Sequence, residues 1–331
     1  MRPALLASAV SLALCVVRGP AYSQSAGAGD VSVWVSYSKD YDKLWNDRAS
    51  AGREIDAMAR QHIARVFLTL SGAPAEPGLS RLPNRHDPFT ENVQYVLNRL
   101  AAHGIAGCAA ILSDNFIGSP KQMAKYVLVD SLLDFNHSAA RGDAHFVCVS
   151  TDLEMTNGGR TSQTYDLWKT FHASLRDRVA SHGGGLQVLA WMQGPDFLIS
   201  HLSPADRRTL MAREGITQDP TDTSLYHGAL RYFTMSKAAP VVDAVIPMWY
   251  FTPAEAYERR VDHNVRELQE LHLPNFRLIP GIMVRNQRAG LCCPGCVAGR
   301  ADYDGRLAYD QRAGTAVFLW PIPAEWTCPS S

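Results

Sequence analysis

The sequence has no excess of either charge: 32 Lys and Arg balance 32 Asp and Glu, and the pI is about 7.2. Without a basic field to gather phosphates, nucleic acid is excluded as a partner. No Gly-x-Gly-x-x-Gly turn follows the first predicted strand, so an open doubly wound dinucleotide fold has no anchor here. The leading apolar run, Ala4 to Val17, stops at Arg18, short of the roughly 20 residues a membrane span needs. The cluster Cys292-Cys293-x-x-Cys296 has no histidine close after it, which weighs against metal ligation. Nothing in the chain asks for a cofactor.

What is present begins with an export signal. Arg2, the apolar run and the small-residue site Ala21-Tyr22-Ser23 predict cleavage after Ser23, leaving a mature chain over residues 24–331. Leu14 before Cys15 argues against lipid attachment at that cysteine. The expectation is a secreted or periplasmic monomer without an integral membrane span. Loss of Cys15 leaves six cysteines of the seven: Cys108, Cys148, Cys292, Cys293, Cys296 and Cys328. An even number in an oxidising compartment predicts disulfides. Adjacent Cys292 and Cys293 are poorly placed to pair with each other, so one of the cluster is expected to reach Cys328. The rest of the connectivity stays open.

At 331 residues and 46% hydrophobic composition, the chain can bury one large core. A barrel of roughly 250 residues fits without dividing it. Strands are predicted at Val31–Tyr37, Ala64–Leu70, Ile105–Leu112, His145–Glu154, Leu186–Met192, Val241–Tyr250, Phe276–Val284 and Ala313–Trp320. Helical patterns fall between them, several stopped by glycine, with a loosened excursion from Pro195 to Asp222 and a helix predicted over Ser224–Ala238. Strands alternating with helices imply a parallel sheet, and eight of them imply an α/β single-domain (β/α)8 TIM barrel.

In such a barrel the C-terminal strand ends face one mouth. Strand four ends in Cys148, Ser150, Asp152 and Glu154 at every second position, one row on one face. A helix cap beside a structural ion pair would also account for a lone Asp-x-Glu. The other ends offer Tyr37, Asp114 and Asn115, Trp191 and Gln193, Trp249 and Tyr250, Arg285 and Asn286, and Trp320. Aromatic faces among a few acids and amides suit a sugar, whose C–H faces stack while its hydroxyls need fixed partners.

These residues resemble glycoside hydrolase family 18, the chitinase and endo-N-acetylglucosaminidase barrels. Asp152 and Glu154 match the last two acids of that family's strand-four Asp-x-x-Asp-x-Asp-x-Glu pattern. Met248-Trp249-Tyr250 follows its strand-six Met-x-Tyr-Asp, Pro280-Gly281-Ile282 its strand-seven run, and Trp320 its strand-eight tryptophan. Val147 and Ser150 stand where the family has its first two aspartates, and Phe251 where it has the strand-six aspartate. The resemblance implies an exported enzyme cleaving β-linked N-acetylhexosamine polymers. Glu154 would be the acid, Asp152 and Tyr250 would hold the 2-acetamido group, and Trp320 would stack beneath the ring. Strand seven ends without an acid, which fits substrate assistance, where the acetamido oxygen replaces an enzyme nucleophile. An inactive carbohydrate-binding relative, a glycosidase on a non-acetylated polysaccharide with Asp114 or Asp196 as second acid, and an adhesive protein whose strand ends merely pack stay open.

Overall fold

A parallel strand buried on both faces reads as a mostly apolar run, and seven such runs form continuous strands here. They are Val31–Val35 (β1), Ile63–Ser71 (β2), Ala106–Leu112 (β3), Cys148–Asp152 (β4), Gln187–Gln193 (β5), Ala244–Met248 (β6) and, at the end, Thr315–Phe318 (β8). Between the last two lies β7, in two pieces, Arg277–Leu278 and Gly281–Met283. The computed structural model describes residues 30–35, 47–71, 82, 84, 86–112, 121–140, 142–153, 159–183, 185–237, 239–250, 253–273, 275–283, 297, 300–310 and 315–318. Each strand pairs in parallel with the next, and β8 pairs with β1, Val317 opposite Val33, so the eight close into a barrel. The fold is a single-domain (β/α)8 barrel.

The helices are Arg48–Arg60 (α1), Pro88–Ala102 (α2), Lys121–His137 (α3), Ser162–Ser181 (α4), Pro195–Ser200 (α5), Pro204–Glu214 (α6), Ala229–Thr234 (α7), Ala254–Glu270 (α8) and Arg300–Tyr309 (α9). Local chemistry sets their starts. Asp47 accepts from the Ala49 N–H at 3.0 Å, Asp87 from Phe89 at 2.8 Å, and Thr161 from Thr164 at 3.1 Å, each relieving an orphan donor of the first turn. No helix among the described residues is long and apolar enough to cross a membrane.

Alternation along the strands sorts the core into two layers. Val33, Val66, Leu68, Val149, Val188 and Val245 face the helices and meet Ile55, Leu97, Leu132 and Trp168. Trp34, Phe67, Cys108, Cys148, Leu189, Trp191 and Ile246 fill the barrel interior. Cys108 and Cys148 stand opposite each other in register, Cα atoms 4.6 Å apart, and are joined by a disulfide inside the barrel. This is a pairing the sequence left open; the expected bridge from the Cys292–Cys296 cluster to Cys328 lies outside the described residues.

The structure departs from the sequence reading in three places. The helix predicted over Ser224–Ala238 is α7 alone, six residues between two small antiparallel hairpins. Gly228, at φ 89°, and Lys237, at φ 57°, turn the chain on either side of it. The seventh strand is interrupted around Pro280, which has no N–H for the ladder. The link between β7 and β8, expected as loop, contains α9.

Candidate active site

Which way Asp152 points follows from the row beneath it. Cys148 is in the interior cluster, so Ser150 and Asp152, two and four residues on, share its inward face. On β5 the inward row is Leu189, Trp191 and Gln193, and Asp152 stands directly across from Trp191. On β6 the inward row ends at Met248, opposite Gln193, and Tyr250 just beyond it packs against the same interior cluster. Asp152, Trp191, Gln193 and Tyr250 therefore converge at the C-terminal end of the interior.

Below them the barrel is plugged by aromatic rings. Trp34 and Trp191 meet edge to face with centroids 4.8 Å apart, and Phe67 meets Trp191 at 5.2 Å. Trp34 donates from Nε1 to Thr69 Oγ1 at 3.0 Å. Around these rings the polar atoms are not matched in the same way. Among the described residues, Ser150 Oγ, Trp191 Nε1 and Gln193 Oε1 are buried and have no hydrogen-bond partner. Each such group costs about 1–3 kcal/mol unless something bonds to it. Together they are a hydroxyl, a donor and an acceptor on neighbouring strand ends beside a carboxylate. That set matches a polyhydroxylated ligand lying on an aromatic floor.

Trp249, expected at the mouth, is not brought there. It is 2% exposed, lies in the layer between barrel and helices, and meets the Tyr257 ring edge-on at 5.9 Å. The correction has a simple cause: adjacent residues leave a strand on opposite faces, so only one of Trp249 and Tyr250 can turn inward. Glu154, Tyr37, Asp114, Asn115, Arg285, Asn286 and Trp320 lie outside the described residues.

Two supports around the site were not read from the sequence in that role, Asp196 having been weighed there only as a second acid. Thr151, on the outer face of β4, bonds to His172 Nε2 at 2.6 Å, while His172 Nδ1 donates to the Trp168 carbonyl at 2.8 Å. With Nδ1 as donor, the neutral ring accepts the Thr151 hydroxyl, and burial pushes its pKa down to about 4. Thr151 fastened outward keeps Asp152 inward. The signal was a lone histidine on an apolar helical face. The second support is Asp196, 1% exposed, which accepts from Tyr226 N–H at 2.7 Å and Asn264 Nδ2 at 3.1 Å. Burial raises its pKa, against the pull of His263. These bonds commit it to holding the excursion on α8.

Among the described residues no group of three or more His, Cys, Asp or Glu is placed to hold a metal ion. A cavity of about 400 Å³ lies between α8 and the excursion, lined by Asp219, Asp222, Asp262, Arg259 and Arg266 among others. None of the residues expected at the mouth lines it.

Neither a protein-family model nor a curated protein matches the sequence. Solved structures do match in shape. A broad-specificity endoglucanase of glycoside hydrolase family 5 from Clostridium longisporum superposes with a TM-score of 0.52 at 10% identity, covering 89% of this chain and 86% of its own. An endocellulase from Pyrococcus horikoshii, complexed with cellotetraose, gives 0.53 at 8% identity, covering 91% and 86%. A protein from Bacteroides thetaiotaomicron assigned as an α-L-fucosidase gives 0.53 at 11%, covering 99% and 94%. The chain shares their barrel. At these identities the likeness extends to the fold, and the resemblance to glycoside hydrolase family 18 rests on the sequence motifs.

Proposed function

We propose that this protein is an exported glycoside hydrolase, secreted or periplasmic, that cleaves β-linked N-acetylhexosamine polymers by substrate-assisted retention. One observation carries the reading. Asp152 sits at the C-terminal end of β4 on the inward face, beside unmatched polar atoms of Ser150, Trp191 and Gln193 and above an aromatic floor. The solved structures of similar shape include enzymes named for glycan hydrolysis, which is consistent with it.

Glu154, two residues beyond Asp152 in the sequence, is the acid in this reading. In this mechanism Glu154 protonates the leaving oxygen while the acetamido oxygen attacks the anomeric carbon, forming a cyclic intermediate. Glu154 then removes a proton from the water that opens it. Asp152 orients the acetamido group, with Tyr250 bonding to the same group. Trp320 stacks beneath the ring.

The test is turnover of a chromogenic N-acetylglucosamine oligomer and of its de-acetylated counterpart. The first is cut and the second is not, because it lacks the internal nucleophile. Glu154→Gln and Asp152→Asn each lower kcat by roughly 10²–10⁴ while leaving binding in place. Equal cleavage of both oligomers would sink the substrate-assisted mechanism. Binding without cleavage of either would make the protein a carbohydrate-binding barrel.

A further inference from the structure

Beside the mouth, the loops after β4 and β5 bring a cation and an aromatic ring together. Arg160 lies just before α4 and Phe197 on α5, so both follow the two strands whose inward rows end at Asp152 and Gln193. The Arg160 guanidinium sits over the Phe197 ring, 5.1 Å from its centroid. His201, four residues on, stacks on the same ring at 3.7 Å and holds it in place. Tyr165 of α4 donates to the Leu198 carbonyl of α5 at 2.8 Å, which ties the two elements to each other. Asp152, Arg160, Gln193 and Phe197 each keep part of their surface exposed, so this edge of the mouth is open to solvent.

Among the described residues Arg160 makes no hydrogen bond and no ion pair, and its Nε is buried without a partner. The acids nearest to the pair in the chain are committed elsewhere, Asp166 to Arg213 and Asp196 to Tyr226 and Asn264. Arginine stays charged near neutral pH. A guanidinium lying over a ring keeps its N–H donors in its own plane, in the fork that fits a carboxylate. The ring and its supports thus hold the fork ready at the rim, and the chain leaves it without a counter-charge.

We propose that Arg160 binds a carboxylate carried by the glycan, so that the polymer taken at the mouth is acidic: N-acetylhexosamine units alternating with a sugar that bears a carboxyl group, as a uronic acid or as a lactyl ether. The proposal rests on the glycosidase reading of the mouth and adds the charge of the substrate to it. Arg160 selects and positions the acidic unit and takes no part in bond cleavage.

The test compares oligomers of equal length: N-acetylglucosamine throughout, the same sugar alternating with glucuronic acid, and the same sugar with a lactyl ether on alternate units. Turnover is measured on the wild type and binding, by calorimetry, on Glu154→Gln. One of the two acidic oligomers binds roughly 10- to 100-fold more tightly than the neutral one, and which of them does so identifies the source of the carboxylate. The advantage shrinks as salt is raised. Adding Arg160→Gln brings the ratio of acidic to neutral binding near unity and leaves the affinity for the neutral oligomer, and its kcat, unchanged. Arg160→Lys, which keeps the charge without the planar fork, retains part of the advantage and covers the case that Arg160→Gln fails to fold. Equal binding of neutral and acidic oligomers, failure of both acidic oligomers to bind, or an acidic preference that survives in Arg160→Gln overturns the proposal. Cleavage of the neutral oligomer with no acidic preference would leave the hydrolase standing without this subsite. An acidic preference lost in Arg160→Gln, with no oligomer cut, would leave the subsite standing without the hydrolase.

Discussion

Gly194 shows how one missing side chain arranges the mouth. A Cβ there would lie 2.4 Å from Nε1 and 2.9 Å from Cδ1 of Trp249. Its backbone, at φ −51° and ψ 137°, suits any residue, so the requirement is for space alone. Trp249 cannot retreat, because it is 2% exposed and rests against Tyr257. Gly194→Ala should therefore destabilise by about 1–3 kcal/mol, the usual cost of overpacking, read as a lower urea midpoint. Gln193, the preceding residue, should shift with it and weaken ligand binding. An unchanged midpoint would mean the indole has room that the packing does not show. Thr151 gives the complementary case: Thr151→Val keeps the shape but leaves His172 Nε2 without its donor. That should cost roughly 1–3 kcal/mol in unfolding experiments, and loss of activity beyond the loss of folded protein would show that the bond also aims Asp152.

The excursion between α5 and β6 hangs on α8 through buried acids. Glu267, 3% exposed, accepts the backbone N–H of Gly228 and, at 3.1 Å, that of Leu230, while Asp196 holds Tyr226. Glu267→Ala leaves two buried donors unmatched, so limited proteolysis should cut within residues 215–240 far sooner than in the wild type, while Glu267→Gln, which keeps one acceptor for the two N–H groups, is intermediate. Equal cleavage rates in Glu267→Ala and wild type would remove the anchoring role. None of this was legible in the sequence, where Ser224–Ala238 has the apolar spacing of one helix. The turn at Gly228 becomes favourable only because Glu267, far along the chain, receives its N–H. The barrel strands were legible because burial on both faces leaves apolar runs, and glycines such as Gly104 and Gly183, with φ of 72° and 93°, end the helices before them. The inward row through Ser150 and Asp152 followed from alternation alone. Trp249 was misplaced because strand ends were read as clusters rather than as faces, and the Cys108–Cys148 bridge depends on a register that no spacing in the chain reveals.

The molecule as a whole combines buried ionisable groups with opposite pH preferences, and their signs predict its stability profile. Burial lowers the His172 pKa to about 4 from an ordinary 6.5. The folded ring resists protonation, so its contribution is present above 6.5 and is lost as pH falls toward 4. Burial raises Glu267 to about 7 from 4.5, and Asp310, which accepts from Tyr257 and Thr315, to about 7 from 3.8. For these the folded state holds the proton more tightly, so stability is present below the ordinary carboxylate range and is lost as pH rises through 7. Between about pH 4.5 and 6.5 two carboxyls retain protons that the unfolded chain has released, and one histidine lacks a proton that the unfolded chain has taken up. Asp196, whose pKa burial also raises, shifts the balance the same way, so the folded chain binds at least one proton more, and stability should fall across that window by about 1.4 kcal/mol per pH unit for each extra proton. At the acid end, Asp56 and Asp130, held low by hydrogen bonds from Arg99 and Arg178, reverse the trend as they protonate. The stability maximum should accordingly lie near pH 4–5 rather than at the pI of about 7.2. Urea midpoints measured from pH 4.5 to 7 check this: the wild type should decline, Glu267→Gln should decline less, and His172→Gln should decline more steeply from a lower start. A wild-type profile that rises across the window would show that Glu267 and Asp310 are ionised in the folded state, with solvent or counter-charge reaching the carboxylates in the core.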